Sequence, residues 1–134
     1  MTGQNYAEKM KGKRGIARII RTAGYSLDGL RSVYRHESAF RQLLWLNTIL
    51  VISAFVFDFS AVTRMVLVAA SFLSLIVELF NTAVEAAADH ASAARHEPAE
   101  RAKDAGAAAQ MLALALLALL WLMSLWREYG FNLF

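Results

Sequence analysis

Four polar residues in an otherwise apolar part of the sequence have the types and the spacing that could carry chemistry. They are Glu78, Asn81, Glu85 and Asp89, and they follow an apolar stretch that begins near residue 61. Their offsets of 0, +3, +7 and +11 residues place them on one narrow face of an α-helix. A carboxylate near hydrocarbon is costly, so it normally faces a bundle interior or a wet cavity and marks a functional site. We call these four residues the polar stripe.

The residue types in the polar stripe limit the chemistry to a few classes. Carboxylates at helical spacing, together with an amide, could bind a hard divalent cation such as Mg²⁺ or Ca²⁺. They could also relay protons or take a proton from a substrate as a general base. A zinc site is disfavoured, because His90 and His96 have no familiar zinc spacing with the acids. The sequence contains no Walker-type phosphate loop, no G-x-G-x-x-G motif and no Gly-x-Ser-x-Gly motif.

The composition of the chain is that of a membrane protein. Of the 134 residues, 57% are hydrophobic and 19% are charged, and the apolar residues form blocks. The chain has no cysteine, which excludes disulfides, thiolate metal sites and cysteine nucleophiles. The net charge of +3 arises mainly from the first 41 residues. A basic end beside apolar segments indicates contact with anionic lipid headgroups rather than with nucleic acid.

Three apolar stretches predict an all-α protein with three transmembrane helices. We place these spans at about residues 42–57, 61–88 and 105–126, with a short turn between the first two. Asn47, within the first span, is expected to form a hydrogen bond between helices. Small residues at 105–109 would let another helix approach the start of the third span closely.

The segments outside the spans are expected to lie at the membrane surfaces. Residues 1–14 show no apolar period and predict a basic, flexible tail. Over residues 15–36, apolar residues recur at helical spacing while arginines occupy the other faces, which predicts an amphipathic helix in the membrane interface. Residues 37–126 hold the three spans, and residues 127–134 form a short outer tail.

The distribution of basic residues predicts the orientation of the chain. Lys and Arg are frequent before the first span and in the loop at 90–104, whereas the other two segments hold only Arg64 and Arg127. The positive-inside rule therefore places the N-terminus and this loop in the cytoplasm. The polar stripe would then run from the membrane interior to the cytoplasmic surface.

Three segments together resemble a known family. They are GIARIIRTAGYSLDGLRSVYRHESAFRQ, VELFNTAVEAAAD and ERAKDAGAAA, and they resemble the small integral-membrane diacylglycerol kinases of bacteria. The resemblance covers residues 15–126, and the motif E-[LI]-x-N-[TS]-A-[IV]-E-A followed by A-K-D is typical of that family. It implies a three-span helical bundle with an N-terminal surface helix. It also implies a homotrimer whose active sites are shared between subunits.

The resemblance further implies an activity and the residues that carry it. The family transfers phosphate from MgATP to diacylglycerol at the cytoplasmic face of the bacterial inner membrane, giving phosphatidic acid. Glu78 would be the catalytic base, and Asn81 would orient Glu78 or a phosphate. The implied Mg²⁺ ligands are Glu37 and Glu85. The implied nucleotide-binding residues are Arg18, Tyr25, Glu37, Glu85, His96, Lys103 and Asp104. The implied lipid-binding residues are Phe40, Arg41, Gln42 and Glu78.

Two positions depart from the family pattern. Position 94 is alanine where relatives commonly carry an acid, so one nucleotide contact is in doubt. Ala107 stands where serine is frequent in the A-K-D-x-G-S-A-A pattern, which puts a hydroxyl contact to the lipid in doubt.

Three other functions stay open on the sequence alone. A related enzyme would phosphorylate undecaprenol, although the ESAFRQ segment looks more like the diacylglycerol branch. A small proton-coupled transporter would also place a glutamate inside a helical bundle, but its acid should lie near mid-membrane with access to both sides. A purely structural membrane subunit would use the polar stripe as an assembly seam.

Overall fold

The structure is a computed structural model and describes residues 2–91 and 97–130. The described residues form four α-helices, namely α1 (Thr2–His36), α2 (Ser38–Val56), α3 (Ala61–Ala91) and α4 (Glu97–Tyr129). The chain divides into two units, Met1–Glu37 and Ser38–Phe134. The first unit contains α1, and the second contains the other three helices. The all-α fold expected from the sequence is confirmed.

The three helices of the second unit are long and apolar enough to cross a membrane. They contain 19, 31 and 33 residues, against the roughly 20 that a hydrocarbon core requires. A helix satisfies its backbone N–H and C=O groups internally, which hydrocarbon demands because it offers no hydrogen-bond partner. The prediction of three membrane-spanning helices is therefore confirmed.

All three of these helices extend beyond the stretches that the hydrophobic pattern marked, and α2 already begins at Ser38. α3 continues to Ala91, and α4 begins at Glu97, well before residue 105. Pro98 lies in the first turn of α4, where a missing N–H costs no hydrogen bond. Glu97 and Glu100 lie in the same turn, where negative charge is favourable. The polar ends of these helices carry a large part of the predicted site.

Helix α1 begins close to the N-terminus. The structure is helical from Thr2, through the segment of residues 2–14 that shows no apolar period in the sequence. This segment has no proline to interrupt the helix, and it continues directly into the amphipathic part. There, Ile16, Ile19 and Ile20 are all more than 60% exposed on α1. An exposed apolar face beside arginines is the pattern of a helix in a membrane interface.

The apolar core of the second unit is small and lies at the end where α2 meets α3. It consists of Ala54, Phe59 and Leu67, with Leu120 and Trp121 of α4 packed against it. The rings of Phe59 and Trp121 meet edge to face, with 5.8 Å between their centroids. This cluster joins all three helices of the unit.

Polar contacts fasten the turn between α2 and α3. Arg64 Nε donates a hydrogen bond to the Ala54 carbonyl at 2.9 Å, and Arg64 Nη2 donates one to the Phe59 carbonyl at 3.3 Å. These carbonyls at the end of α2 and in the turn cannot find partners within a helix. Arg64, in the first turn of α3, thus satisfies backbone carbonyls of the end of α2 and of the turn.

The end of α4 contacts the same turn. The backbone N–H of Asp58 donates to the Tyr129 hydroxyl at 2.8 Å, and that of Ser60 donates to Glu128 Oε1 at 3.3 Å. The third span is therefore tied to the turn that joins the first two.

A buried polar contact joins α2 to α3 further along the bundle. Asn47 Nδ2 donates to Ser74 Oγ at 3.0 Å and also to the Leu43 carbonyl of its own helix at 2.9 Å. Ser74 Oγ in turn donates to the Ser71 carbonyl at 2.8 Å. Asn47 is 2% exposed and Ser74 is fully buried. The expected interhelical hydrogen bond of Asn47 is confirmed.

The contact between Asn47 and Ser74 should stabilise the bundle measurably. In a double-mutant cycle with Asn47→Ala and Ser74→Ala, we expect a coupling of about 0.6 kcal/mol, and at most about 1.7 kcal/mol, because interhelical hydrogen bonds in membranes are modest. Equilibrium unfolding in detergent micelles measures it. Thr48→Ala is the control, since the Thr48 hydroxyl bonds only the Leu44 carbonyl of its own helix. Strictly additive effects of the two substitutions would contradict the contact.

Candidate active site

A groove formed by all three helices of the second unit contains Glu78. Its volume is about 280 Å³, and its lining residues are Ala39, Gln42, Leu43, Leu46, Glu78, Gln110 and Leu114. Three of these are polar, one from each helix: Gln42 from α2, Glu78 from α3 and Gln110 from α4. A mostly apolar surface with a few polar groups is typical of a site for a small or lipid-like molecule. We call it the Glu78 groove.

Glu78 is the most buried member of the polar stripe. It is 9% exposed, so its carboxyl group lies largely out of solvent. It also follows the apolar part of α3 directly, as the sequence indicated. Carboxyl groups in such places are rare unless they serve a function. The Glu78 groove gives this carboxyl group access to a molecule that enters between the helices.

Asn81 and Glu85 lie next along α3 and are in contact with each other. Asn81 Nδ2 donates a long hydrogen bond of 3.4 Å to Glu85 Oε1. Asn81 Oδ1 is buried and accepts no hydrogen bond from the described part of the chain. This oxygen faces Gly106 of α4, where an added Cβ would come within 2.5 Å of it. Gly106 therefore allows α4 to lie against the Asn81 side chain.

The residue types of Asn81 and Glu85 suit a hard divalent cation. Within residues 2–91 and 97–130, no group of three or more His, Asp or Glu residues could hold a metal ion. Mg²⁺ does not require one, because it is usually bound by one or two carboxylates together with substrate phosphates and waters. Glu85 supplies a carboxylate, a donor of the right kind, and Asn81 contacts it through its amide nitrogen. The residues present fit Mg²⁺ bound together with a nucleotide.

Asp89 and Lys103 form an ion pair between α3 and α4. Lys103 Nζ lies 2.8 Å from Asp89 Oδ1, and both side chains are partly exposed. The hydrogen bond to Asp89, helped by the negative charge of that carboxylate, raises the pKa of Lys103. Lys103 precedes the apolar part of α4 and stays positively charged at neutral pH. Exposed ion pairs add little stability. This ion pair matters because it holds the positive charge of Lys103 beside Asp89, at the end of the polar stripe.

The first unit carries three of the predicted residues. Arg18 and Tyr25 line one face of α1, and the same face includes Arg14, Arg21 and Thr22. Guanidinium groups clustered on one face of a helix suit phosphate oxygens. Glu37 follows the end of α1, is half-buried, and donates its backbone N–H to the Val33 carbonyl at 2.8 Å.

The remaining predicted residues lie in different surroundings. Phe40 is buried, with 3% of its surface exposed, whereas the adjacent Arg41 is half-buried. Asp104 is exposed on α4. His96 lies outside the described residues.

Sequence reasoning did not assign a role to two residues of the site. Gln110 is 9% exposed and lines the Glu78 groove, and Gly106 faces Asn81. Gln110 could have been noticed as the one strongly polar residue in an apolar span. The run of small residues at 105–109 predicted a close helix contact, but nothing in the sequence identified the partner as Asn81.

Comparison with known proteins gives the family. The sequence model of the family described as prokaryotic diacylglycerol kinase matches residues 24–125, which is most of the chain. The chain belongs to the prokaryotic diacylglycerol kinase family. The resemblance seen in the sequence motifs is thereby confirmed, and with it the expectation of a kinase.

Individual relatives match this family member over most of their length. The diacylglycerol kinase of Pseudomonas aeruginosa is 45% identical over 111 residues, covering 83% of this chain and 90% of the relative. That of Escherichia coli (strain K12) is 40% identical over 116 residues, covering 87% and 95%. That of Haemophilus influenzae is 34% identical over 107 residues, covering 80% and 91%. These bacterial relatives, together with three membrane-capable helices, identify a bacterial membrane protein.

The matched region includes every predicted site residue except one. Arg18 precedes residue 24, where the family match begins. Gly106 and Gln110 both lie inside the match.

The contact between Gly106 and Asn81 should be critical for activity. In Gly106→Ala, the added methyl group would displace the Asn81 carboxamide, so we expect kcat for phosphate transfer to fall about tenfold or more, which corresponds to about 1.4 kcal/mol. Stability should change little, because alanine favours the helix by about 1 kcal/mol relative to glycine. Phosphate-transfer kinetics and unfolding measurements on the same preparation separate the two effects.

Gly29→Ala is the matched control for this substitution. No atom lies within 4 Å of a Cβ added at Gly29. This variant therefore gains the higher helix propensity of alanine over glycine without a steric clash. Wild-type kcat in Gly106→Ala would show that the close approach to Asn81 has no role in the reaction.

Proposed function

We propose that the chain transfers the γ-phosphate of MgATP to the free hydroxyl group of diacylglycerol and so forms phosphatidic acid. The observation that carries this proposal is the largely buried Glu78 in a mostly apolar groove. The relatives described above are named diacylglycerol kinases, which supports diacylglycerol over undecaprenol as the lipid.

Glu78 acts as the general base in this proposal. The lipid hydroxyl enters the Glu78 groove from the surrounding membrane and gives its proton to the Glu78 carboxylate. Its oxygen forms a bond to the γ-phosphorus as the bond from that phosphorus to the bridging oxygen breaks, and ADP leaves. A base at the end of the apolar part of α3 suits a hydroxyl group that lies at headgroup depth.

The polar side chains beyond Glu78 position the nucleotide in this proposal. Phosphoryl transfer depends mainly on positioning and on neutralising the charge of the phosphates. By resemblance, Glu37 and Glu85 would hold Mg²⁺, which when bound neutralises phosphate charge, and Asn81 would orient Glu78 or a phosphate. Lys103, held in place by Asp89, supplies a further positive charge. The other proposed nucleotide contacts are Arg18, Tyr25, His96 and Asp104.

Three residues before the groove complete the proposed lipid site. Gln42 lines the Glu78 groove itself, which supports its assignment to the lipid. Phe40 and Arg41 are assigned to the lipid by resemblance alone.

We also propose a homotrimer in the bacterial inner membrane with its active sites on the cytoplasmic side. The resemblance supports the trimer and the sharing of active sites between subunits. The basic residues before the first span and in the loop at 90–104 support the orientation. Native mass spectrometry of the active preparation counts the subunits.

Glu78→Gln tests the role of the base. The amide has nearly the same size but cannot accept the proton, so we expect kcat to fall between about 10² and 10⁴-fold. Phosphate transfer from MgATP is measured in mixed micelles with diacylglycerol and undecaprenol offered in parallel. Glu8→Gln is the control, because Glu8 is exposed and precedes the region matched by the family.

The outcomes of this experiment separate the substrate from the mechanism. Transfer to undecaprenol alone would replace the proposed lipid. Substantial transfer by Glu78→Gln would exclude Glu78 as the base. If the folded wild-type chain transferred phosphate to neither lipid, the proposed lipid kinase would be contradicted and a transporter would be favoured instead.

Glu85→Gln tests the metal site. Removing the charge of one ligand should raise the Mg²⁺ concentration that gives half the maximal rate by about tenfold, equivalent to about 1.4 kcal/mol. The measurement is the rate as a function of free Mg²⁺ at a fixed, saturating ATP concentration. An unchanged Mg²⁺ dependence, even with a lower maximal rate, would exclude Glu85 as a ligand.

A further inference from the structure

Gln110 is a buried amide in the Glu78 groove to which the family resemblance assigns no role. It comes from α4, is 9% exposed and shares the groove with Glu78 and Gln42. Its Oε1 is shielded from solvent and accepts no hydrogen bond from the described residues. Its Nε2 donates no hydrogen bond to the described residues either and is not shielded in the same way, so the donor end of the amide is available to an acceptor on a molecule in the groove.

Gln110 differs from Asn47, whose burial is explained by a hydrogen bond between helices. Asn47 is also a buried amide in a span, but its Nδ2 reaches Ser74 across the interface between α2 and α3. For Gln110, the polar side chains in the same groove are Glu78 and the more exposed Gln42. Gln110 therefore lies beside the reacting carboxylate rather than in a helix-to-helix contact of its own.

The chemistry of diacylglycerol supplies a suitable partner. The carbon that bears its hydroxyl group is bonded to a carbon that bears an ester, and the ester carbonyl accepts hydrogen bonds. An ionised carboxylate such as Glu78 has no hydrogen to donate, whereas a primary amide has two. A polyprenol offers a hydroxyl group but no carbonyl.

We propose that Gln110 determines lipid specificity by donating a hydrogen bond from Nε2 to the ester carbonyl next to the reacting hydroxyl. This inference rests on the proposed function, in which Glu78 accepts the proton of that hydroxyl. A site built to hydrogen-bond a substrate group discriminates against analogues that lack the group, because its own buried polar atom is then left unpaired. Gln110 thus favours glycerol esters over lipid alcohols without a carbonyl.

A pair of matched lipids tests Gln110. One is a 1,2-diacylglycerol, and the other is the 1,2-dialkylglycerol ether with the same chain lengths, which keeps the hydroxyl but lacks both carbonyls. For the wild-type chain, we expect kcat/KM to be about tenfold higher with the ester than with the ether. In Gln110→Met, which keeps the length of the side chain, kcat/KM for the ester should fall about tenfold while that for the ether stays within about twofold.

Leu114→Met is the matched control for Gln110→Met. Leu114 lines the same groove from the same helix but offers no hydrogen bond, so its substitution should leave the ester-to-ether ratio unchanged. The activity of each variant towards the ether shows that its site is folded.

Two results would overturn the role of Gln110. An ester-to-ether ratio that Gln110→Met leaves unchanged would exclude it, whether both activities fall together or neither changes. A ratio that falls equally in Leu114→Met would assign the effect to packing of the groove. Absence of transfer to either glycerol lipid by the wild-type chain is a different result, because it contradicts the proposed kinase itself.

Discussion

Hydrocarbon offers no hydrogen-bond partners, and this constraint governs the arrangement of the second unit. The backbone meets it by forming α2, α3 and α4, each of which satisfies its own N–H and C=O groups. Polar side chains meet it by facing a neighbouring helix, as Asn47 does with Ser74. Five buried side-chain atoms of the described residues still lack a hydrogen-bond partner, namely Asn47 Oδ1, Ser71 Oγ, Asn81 Oδ1, Gln110 Oε1 and Trp121 Nε1. Two of them, on Asn81 and Gln110, belong to residues of the proposed site.

The proposed reaction places different demands on the two ends of the polar stripe. Glu78 lies in the apolar groove, where a lipid can present a hydroxyl group away from bulk water. Asp89 lies at the exposed end of α3 and holds Lys103, where a water-soluble nucleotide can approach. Asn81 and Glu85 lie between these ends. A single helix can therefore bring a lipid and a nucleotide together along one face.

The sequence was sufficient to predict the helices but not the contacts between them. Helical periodicity identified the polar stripe because it depends on one helix alone, and hydrophobic length identified the three spans. The contacts of Gly106 with Asn81 and of Lys103 with Asp89 depend on how far α4 is shifted along α3, which no local pattern encodes. The helical start of the chain at Thr2 was not marked by any apolar period, because a polar segment can continue a helix that an adjacent segment has nucleated.

The hydrogen bonds at the turn between α2 and α3 bear on the order in which the chain is completed during synthesis. Tyr129, which accepts a hydrogen bond from the Asp58 backbone, lies 71 residues further along the chain. Glu128, which accepts one from the Ser60 backbone, lies 68 residues further along. The ribosome therefore makes both partners of the turn long after the turn itself. Until α4 is in the membrane, the backbone N–H groups of Asp58 and Ser60 lack these two partners, and the contacts that hold the turn come from within the hairpin, as those of Arg64 do. The first hairpin to be synthesised therefore gains its last hydrogen bonds only after α4 has been made.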